Sequence, residues 1–195
     1  MDLLARLDEA RERWNLLNHP FYRRWSCGEL TRDDLAYYAG QYRHAVVALA
    51  ETARTADAEH AQEEAEHVSL WDDFAAAVGS SEPSEPSAET AQCVSAWLAP
   101  EDPLGALAVL YAIEASQPEV SQTKLDGLAE HYGVSAEEPG AAYFALHAEL
   151  DHEHAEDSRA LLEAHTGDED RLVALAEDAL RGNWLLLDGV EARTA

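Results

Sequence analysis

The apolar positions of this chain recur with helical spacing almost from end to end. Residues 2 to 17 place Leu3, Leu4, Leu7, Trp14 and Leu17 on one face, which predicts an amphipathic helix halted before His19-Pro20, since the residue preceding a proline is pushed toward extended conformations. Residues 21 to 25 follow as a short helix or turn, closed by Cys27-Gly28. Thr31 with Asp33 and Asp34 behind it reads as an N-cap with acidic residues in the first turn. The helix it opens carries Leu35, Tyr38, Tyr42, Val46 and Leu49 and extends to about residue 55, with a reversal near Asp57. Residues 58 to 78 form the next helix, and Gly79 supplies its C-terminal stop. Residues 80 to 87, with two Glu-Pro pairs, are a loop. A helix over 89 to 98 ends at Pro100, and one begun by Pro103 runs toward Gln117. Pro118 interrupts it, and the helix after that ends near Tyr132-Gly133. Pro139-Gly140 precedes a helix containing His147, Gly167 follows it, and residues 169 to 189 make a last amphipathic helix. No stretch alternates with period two, so the expectation is an all-α single domain over 1–195, a bundle of about eight helices.

Composition narrows the function classes. At 195 residues and 47% hydrophobic content the chain can bury both a core and a polar site. A formal net charge of −26 argues against nucleic acid and anionic membranes as partners, because phosphate contacts need clustered cations. Of the 13 basic residues, all but Lys124 are arginine. Cys27 and Cys93 are the two cysteines and form no CxxC spacing, which disfavours a thiolate cluster or thiol nucleophile and fits a reducing, cytoplasmic setting. No leader-like N-terminus and no run long enough to span a bilayer is visible.

Candidate chemistry centres on the stretch from Phe144 to Leu162. On a helix, His147, Asp151 and His154 fall within a wedge of roughly 60°, and two imidazoles with a carboxylate suit iron or manganese. Glu149, His152, Glu153, Glu156 and Asp157 project elsewhere, toward solvent. The plain alternative for the triad is a charged face in a chain with 39 acidic residues and 9 histidines. The helix over 58 to 78 carries His60, Glu63, Glu64, Glu66 and His67, and Glu64-x-x-His67 has the spacing that helical di-iron bundles use. A hairpin turning at Asp57 would bring Glu51 level with Glu63 and Glu64. Glu114 lies in the apolar run from Leu107 to Ala115, where an uncompensated carboxylate is costly and a metal would supply compensation; an Arg or Tyr hydroxyl partner is the other option. Tyr22 reads as a core aromatic, Tyr38 and Tyr42 as core or pocket lining, and a lone lysine is ordinarily solvated. A straight helix would put Lys124 about 15 Å along the axis from Glu114.

These segments together resemble the heme-oxygenase-like di-iron oxidases, whose fold is shared by the thiaminase II (TenA) and pyrroloquinoline-quinone synthesis protein C families. Within that superfamily the chain is most similar to the chlamydial death-domain-associating group, whose bacterial relatives make para-aminobenzoate. The similarity runs through His19-Pro-Phe-Tyr22, Gly28-Glu-Leu-Thr31, His67-Val-Ser-Leu-Trp71, Ala112-Ile-Glu114 with Lys124 ten residues on, and His147-x3-Asp151-x2-His154. It implies metal ligands at His67, Glu114, His147, Asp151 and His154, with Glu64 or Glu63 as the remaining glutamate; His60 and Glu51 are further candidates by their position in the chain. The hairpin before His67 is shorter than in the chlamydial protein, which leaves that choice open. The resemblance also implies that Tyr22 is consumed to give the aromatic ring and that Lys124 donates the amine.

The reading is an oxygen-dependent non-heme di-metal oxidase, Fe/Fe or Fe/Mn, using dioxygen and an external reductant to make para-aminobenzoate for folate synthesis from its own tyrosine and lysine. Three alternatives stand beside it: a multi-turnover oxidase acting on an external amino acid or fatty acid, a metal-free member of the fold, and an acidic interaction protein. The identity of the electron donor and the oligomeric state, a homodimer among the options, are left open by the sequence.

Overall fold

The computed structural model describes residues 2–80, 84–165 and 167–194. Among them are nine α-helices and no strand: α1 (Leu3–Arg13), α2 (Pro20–Ser26), α3 (Arg32–Ala56), α4 (Ala58–Val78), α5 (Ala88–Trp97), α6 (Pro103–Glu114), α7 (Gln117–Gly127), α8 (Ala142–Glu163) and α9 (Glu169–Thr194). The all-α expectation holds. Local chemistry sets most boundaries. Thr31 and Asp34 make a reciprocal capping box at the start of α3. Gly79 ends α4 at φ +89°, a conformation that favours glycine. Asp57 alone joins α3 to α4, and its side chain accepts from the amides of Glu59 and His60, so the reversal forms without Gly or Pro because one aspartate caps the new helix.

Three boundaries differ from expectation. The first helix stops at Arg13, because Asn15 caps a separate 3-10 turn over Leu16–Asn18. The helix opened by Pro103 ends at Glu114 rather than Gln117, and Ala115 and Ser116 turn the chain into α7 with Pro118 in its first turn. The last helix continues past 189 to Thr194, since nothing in that stretch breaks it. Of the expected loop at 80–87, residues 81–83 lie outside the described residues, and 84–87 carry no regular structure.

Helix α6 is the axis of the assembly. Gly105, Ala106 and every residue from Ala108 to Glu114 are buried, as a helix apolar on all sides requires, and α3, α8 and α9 pack around it. The α3–α4 hairpin closes one side, and α4 packs against α8. Indole donors tie distant elements together: Trp71 to the Ala39 carbonyl at 2.9 Å, Trp97 to that of Ala179 at 3.0 Å, and Trp25 to that of Lys124 at 3.3 Å. The last of these draws α2 onto α7. Gly127 permits that approach, since a Cβ there would stand 2.5 Å from the Trp25 ring.

Candidate metal centre

Two helices facing each other carry the same donor pattern. On α4, His60, Glu64 and His67 follow one another at i, i+4 and i+7; on α8, His147, Asp151 and His154 do the same. Such spacing puts three donors on one helix face. The helices run antiparallel, so the ring of His60 meets that of His154 at 4.3 Å and the ring of His67 meets that of His147 at 4.8 Å. Glu64 and Asp151 occupy the middle rung, and the C-terminal residue of α6, Glu114, enters from the side.

The donors divide into two groups. In the outer one, ligand atoms of His60, Glu114 and His154 lie within 4.8 Å of one another; in the inner one, those of Glu64, His67 and His147 do. His60 Nε2 stands 3.1 Å from Glu114 Oε1 and 3.9 Å from Glu64 Oε1, which bridges the groups. His67 Nδ1 is 3.0 Å from Glu64 Oε1. Asp151 is buried between the groups, and neither of its oxygens has a hydrogen-bond partner.

Burial acts differently on each donor. It drives the Asp151 carboxyl up to about 9, with the Glu114 and Glu64 charges adding to the effect. Burial also opposes ionisation of Glu64, but the hydrogen bond from His67 and the charges of His147, His67 and His60 outweigh it and hold that carboxyl below its usual range. His147 is pushed down to about 4 by burial, so its imidazole is neutral and able to ligate. Its Nδ1 hydrogen-bonds to the Tyr143 carbonyl at 2.7 Å, which leaves Nε2 aimed into the site and without a partner.

These atoms fit a metal pair. Besides both oxygens of Asp151, both oxygens of Glu114, Glu64 Oε2, His60 Nε2, His147 Nε2 and His154 Nδ1 are buried without aligned hydrogen-bond partners. Three such carboxylates gathered in a core are costly to ionise together, and bound cations would relieve that cost. Among the described residues Glu114 meets no arginine or tyrosine: its neighbour is His60 Nε2, at 3.1 Å from Oε1. Donors that are all nitrogen and oxygen suit iron or manganese.

The structure sorts the remaining candidates. Glu51 is a correction: the hairpin does bring that end of α3 beside α4, but Glu51 faces solvent and pairs with Arg54 at 3.2 Å. The buried face of α3 there belongs to Leu49, Thr52 and Ala53, so the register is right and the helix face is wrong. Glu63 is half exposed and contacts the back of His154. Glu149, His152, Glu153, Glu156 and Asp157 are exposed, as expected. His60 is the donor that the spacing rule on Glu64-x-x-His67 underrated. The signal was available, because His60-x3-Glu64-x2-His67 repeats the spacing of His147-x3-Asp151-x2-His154.

One turn further along α4 and α8 the lining changes from polar to aromatic. Trp71 follows His67 by four residues and Phe144 precedes His147 by three, so each donor adjoins an aromatic on its own helix face. With Tyr22 of α2 and Tyr38 and Tyr42 of α3 they enclose Lys124. Its Nζ lies 4.9 Å from the Phe144 ring centre, 5.1 Å from Tyr42, and 5.7 Å from each of Tyr22, Tyr38 and Trp71. Lys124 is fully buried and Nζ has no hydrogen-bond partner. The plain alternative of a solvated surface lysine is therefore excluded. The break at Ala115 and Ser116 puts Glu114 and Lys124 on separate helices, so the straight-helix separation does not apply. Burial lowers the Lys124 amine to about 7. The hydroxyls of Tyr22 and Tyr38 are buried and neighbour each other, and burial raises both phenols well above their usual range. Cys93 is buried with its thiol pushed up and Cys27 is exposed, so neither enters this chemistry.

Comparison with known proteins assigns the class. Residues 21–189 match the family of iron-containing redox enzymes in the heme oxygenase group, and the chain belongs to that family. Two solved structures share its fold: a heme oxygenase-like domain of unknown function from Shewanella denitrificans, with TM-score 0.79 and 21% identity over 99% of this chain and 93% of that one, and a TenA homologue from P. horikoshii, with TM-score 0.69 and 14% identity over 97% and 98%. The relatives with assigned names are more specific. Proteins named 4-aminobenzoate synthase from Chlamydia muridarum, Chlamydia pneumoniae and Nitrosomonas europaea are 30%, 31% and 28% identical, over 96%, 93% and 94% of this chain and 89%, 91% and 89% of theirs. The fold is thus heme-oxygenase-like, and the protein is an iron-type redox enzyme.

Proposed function

We propose that this chain is an oxygen-dependent di-metal oxidase, Fe/Fe or Fe/Mn, that makes para-aminobenzoate from its own Tyr22 and Lys124. The observation that carries the reading is the placement of Lys124, the sole lysine of the sequence, which is buried beside the Tyr22 ring on the aromatic continuation of the metal-binding faces. His67, His147 and Glu64 would hold one metal and His60, Glu114 and His154 the other, with the buried, unpartnered Asp151 carboxylate as a further donor. Iron there supplies the redox chemistry by which dioxygen is reduced at the expense of an external reductant.

The chain's own residues do the rest. The aromatic box excludes water, and with its ordinary value lowered to about 7 a substantial share of the lysine is the free amine, with a usable lone pair, near neutral pH. Tyr22 supplies the aromatic carbon skeleton and Lys124 Nζ the nitrogen. Burial raises the phenols of Tyr22 and Tyr38, so both stay protonated near neutral pH. No helix among the described residues is long and apolar enough to cross a membrane, and a cytoplasmic site suits a supplier of folate synthesis.

Isotopes test the reading. Protein grown on lysine labelled with nitrogen-15 at Nζ and unlabelled tyrosine, then loaded with iron and given dioxygen and reductant, should release para-aminobenzoate carrying the label, one molecule per chain at most. Unlabelled product formed over many turnovers would favour an external substrate. A specific feature supports that second reading: a cavity of about 670 Å³ opens at His60 and His154. Its lining includes Asp57, Glu59, Glu63, Glu153 and Asp157, a set that fits a cationic amino compound and repels a fatty-acid carboxylate.

A further inference from the structure

The two histidines that α8 places at opposite ends of the donor ladder are held in different ways. The inner His147 is fixed from behind by a backbone carbonyl, that of Tyr143 at 2.7 Å, which cannot swing away. The outer His154 is held from behind by a side chain: its Nε2 lies 3.1 Å from Glu63 Oε2, and the Glu63 side chain is 46% exposed at the mouth of the acidic cavity. His154 Nδ1 is buried without a partner and points inward, 3.9 Å from Asp151 Oδ1. A carboxylate that accepts from Nε2–H places the lone pair of the ring on Nδ1, orients the ring and makes it a stronger donor.

We propose that Glu63 is the positioning residue of the outer donor group: it sets the metal affinity of the His60, Glu114 and His154 group while leaving the inner group untouched. The inference rests on reading these residues as a metal centre and adds to that reading an inequality between its halves. The sequence admitted Glu63 as a ligand, and the geometry instead puts it behind one. Because Glu63 also lines the cavity that opens beside His60 and His154, and its walls concentrate cations by their charge, the outer position is the one that exchanges metal with solvent. The inner donors are closed off: Glu64 and His147 are 1% and 2% exposed.

The experiment is a Mn²⁺ titration of the full chain after chelator stripping, with free Mn²⁺ followed by electron paramagnetic resonance. Wild type should show two classes of site, and His60→Ala identifies the outer class by weakening it. Glu63→Ala should weaken that same class about 10- to 100-fold, the usual effect of removing a partner behind a ligating histidine, and leave the inner class unchanged. Glu63→Gln keeps an amide oxygen for His154 Nε2–H without the charge and should fall between wild type and Glu63→Ala. An outer class unchanged in Glu63→Ala, or both classes weakened alike, overturns the proposal. A Glu63→Gln variant as weak as Glu63→Ala also overturns it, by making Glu63 a direct ligand. Wild type that binds no Mn²⁺ overturns the metal-centre reading itself and the positioning role with it.

Discussion

The donor ladder and the aromatic box adjoin on the same two helices, and each buries ionisable groups without partners, yet burial drives them in opposite directions. In the ladder the buried groups are carboxylates, and Asp151 rises to about 9. In the box the buried group is an amine, and Lys124 falls to about 7. Both shifts express one cost, that of charge removed from water. Relief differs. The ladder has nitrogen and oxygen donors converging on common points, so cations from solution can restore its charge. The box offers rings and no anion, so the amine is relieved by losing its proton. One region gathers donors that a metal can use and the other holds an amine that sheds its charge easily, and they adjoin on the same helices.

The largest effect that tests this contrast comes from changing which relief Lys124 can use. Lys124→Arg introduces a guanidinium that does not deprotonate, and the uncompensated buried charge should cost about 3–5 kcal/mol of stability. Lys124→Met removes the charge question at similar volume and should fold. It should retain metal and make no para-aminobenzoate, as seen by elemental analysis and product chromatography on one preparation. Product from Lys124→Met at wild-type yield would remove the lysine from the reaction.

Next in size are losses at the ladder. His147→Ala or Asp151→Ala should lower the metal content of the purified protein, from two ions per chain toward one or none, because each deletes a donor whose neighbours stay buried. Unchanged metal in both variants would sink the site assignment.

The opposed shifts predict opposed pH dependences in the metal-free protein. For Lys124, the unfolded chain holds its proton up to the ordinary value of 10.5 and the folded chain loses it at about 7. The unfolded state therefore binds more protons across that window, so stability rises with pH there. For Asp151, the folded chain keeps its proton up to about 9 while the unfolded chain loses it at 3.8, so stability falls as pH rises from about 4 to 9. Between about 7 and 9 the two slopes, each near 1.4 kcal/mol per pH unit at most, oppose each other. Thermal unfolding in chelator should show Asp151→Asn gaining stability with pH above 7 and Lys124→Met losing it up to 9. Equal slopes in the two variants would mean that the regions are not electrostatically distinct.

What the sequence could reveal follows from whether partners share a helix. His147, Asp151 and His154 lie within two turns of one helix, and Glu114 stands out in an apolar run, so both could be read from local period and composition. Helix caps such as Thr31 and Gly79 are equally local. The box could not be read that way, because its walls come from α2, α3, α4 and α8, and no local spacing says that Tyr22 and Phe144 meet around Lys124. His60 fell between these cases. Its spacing to Glu64 and His67 is local, but the reason to count it, its opposition to His154, depends on an antiparallel packing that only the tertiary structure shows. The depletion of lysine marked Lys124 for attention without saying where its side chain lies.

Glu51 provides the smallest expected effect and the control for the comparison. It shares with Glu64 a carboxylate and a level along the hairpin, and differs only in the helix face it occupies. Its side chain is 48% exposed, and its partner Arg54 is 60% exposed, so solvent screens the pair and little stability rests on it. Glu51→Gln should change stability by about 0.5 kcal/mol or less, and should leave metal content and product yield at wild-type values. Glu64→Gln, with the same atoms exchanged, removes a charge that contacts His67 at 3.0 Å and reaches toward His60 and His147 at 3.9 and 4.0 Å. It should lower metal content and abolish product. Measured side by side, the pair separates position from chemistry. A loss of metal in Glu51→Gln would mean that α3 turns its other face to the ladder when metal binds, and the division between solvent-facing and site-facing carboxylates would have to be redrawn.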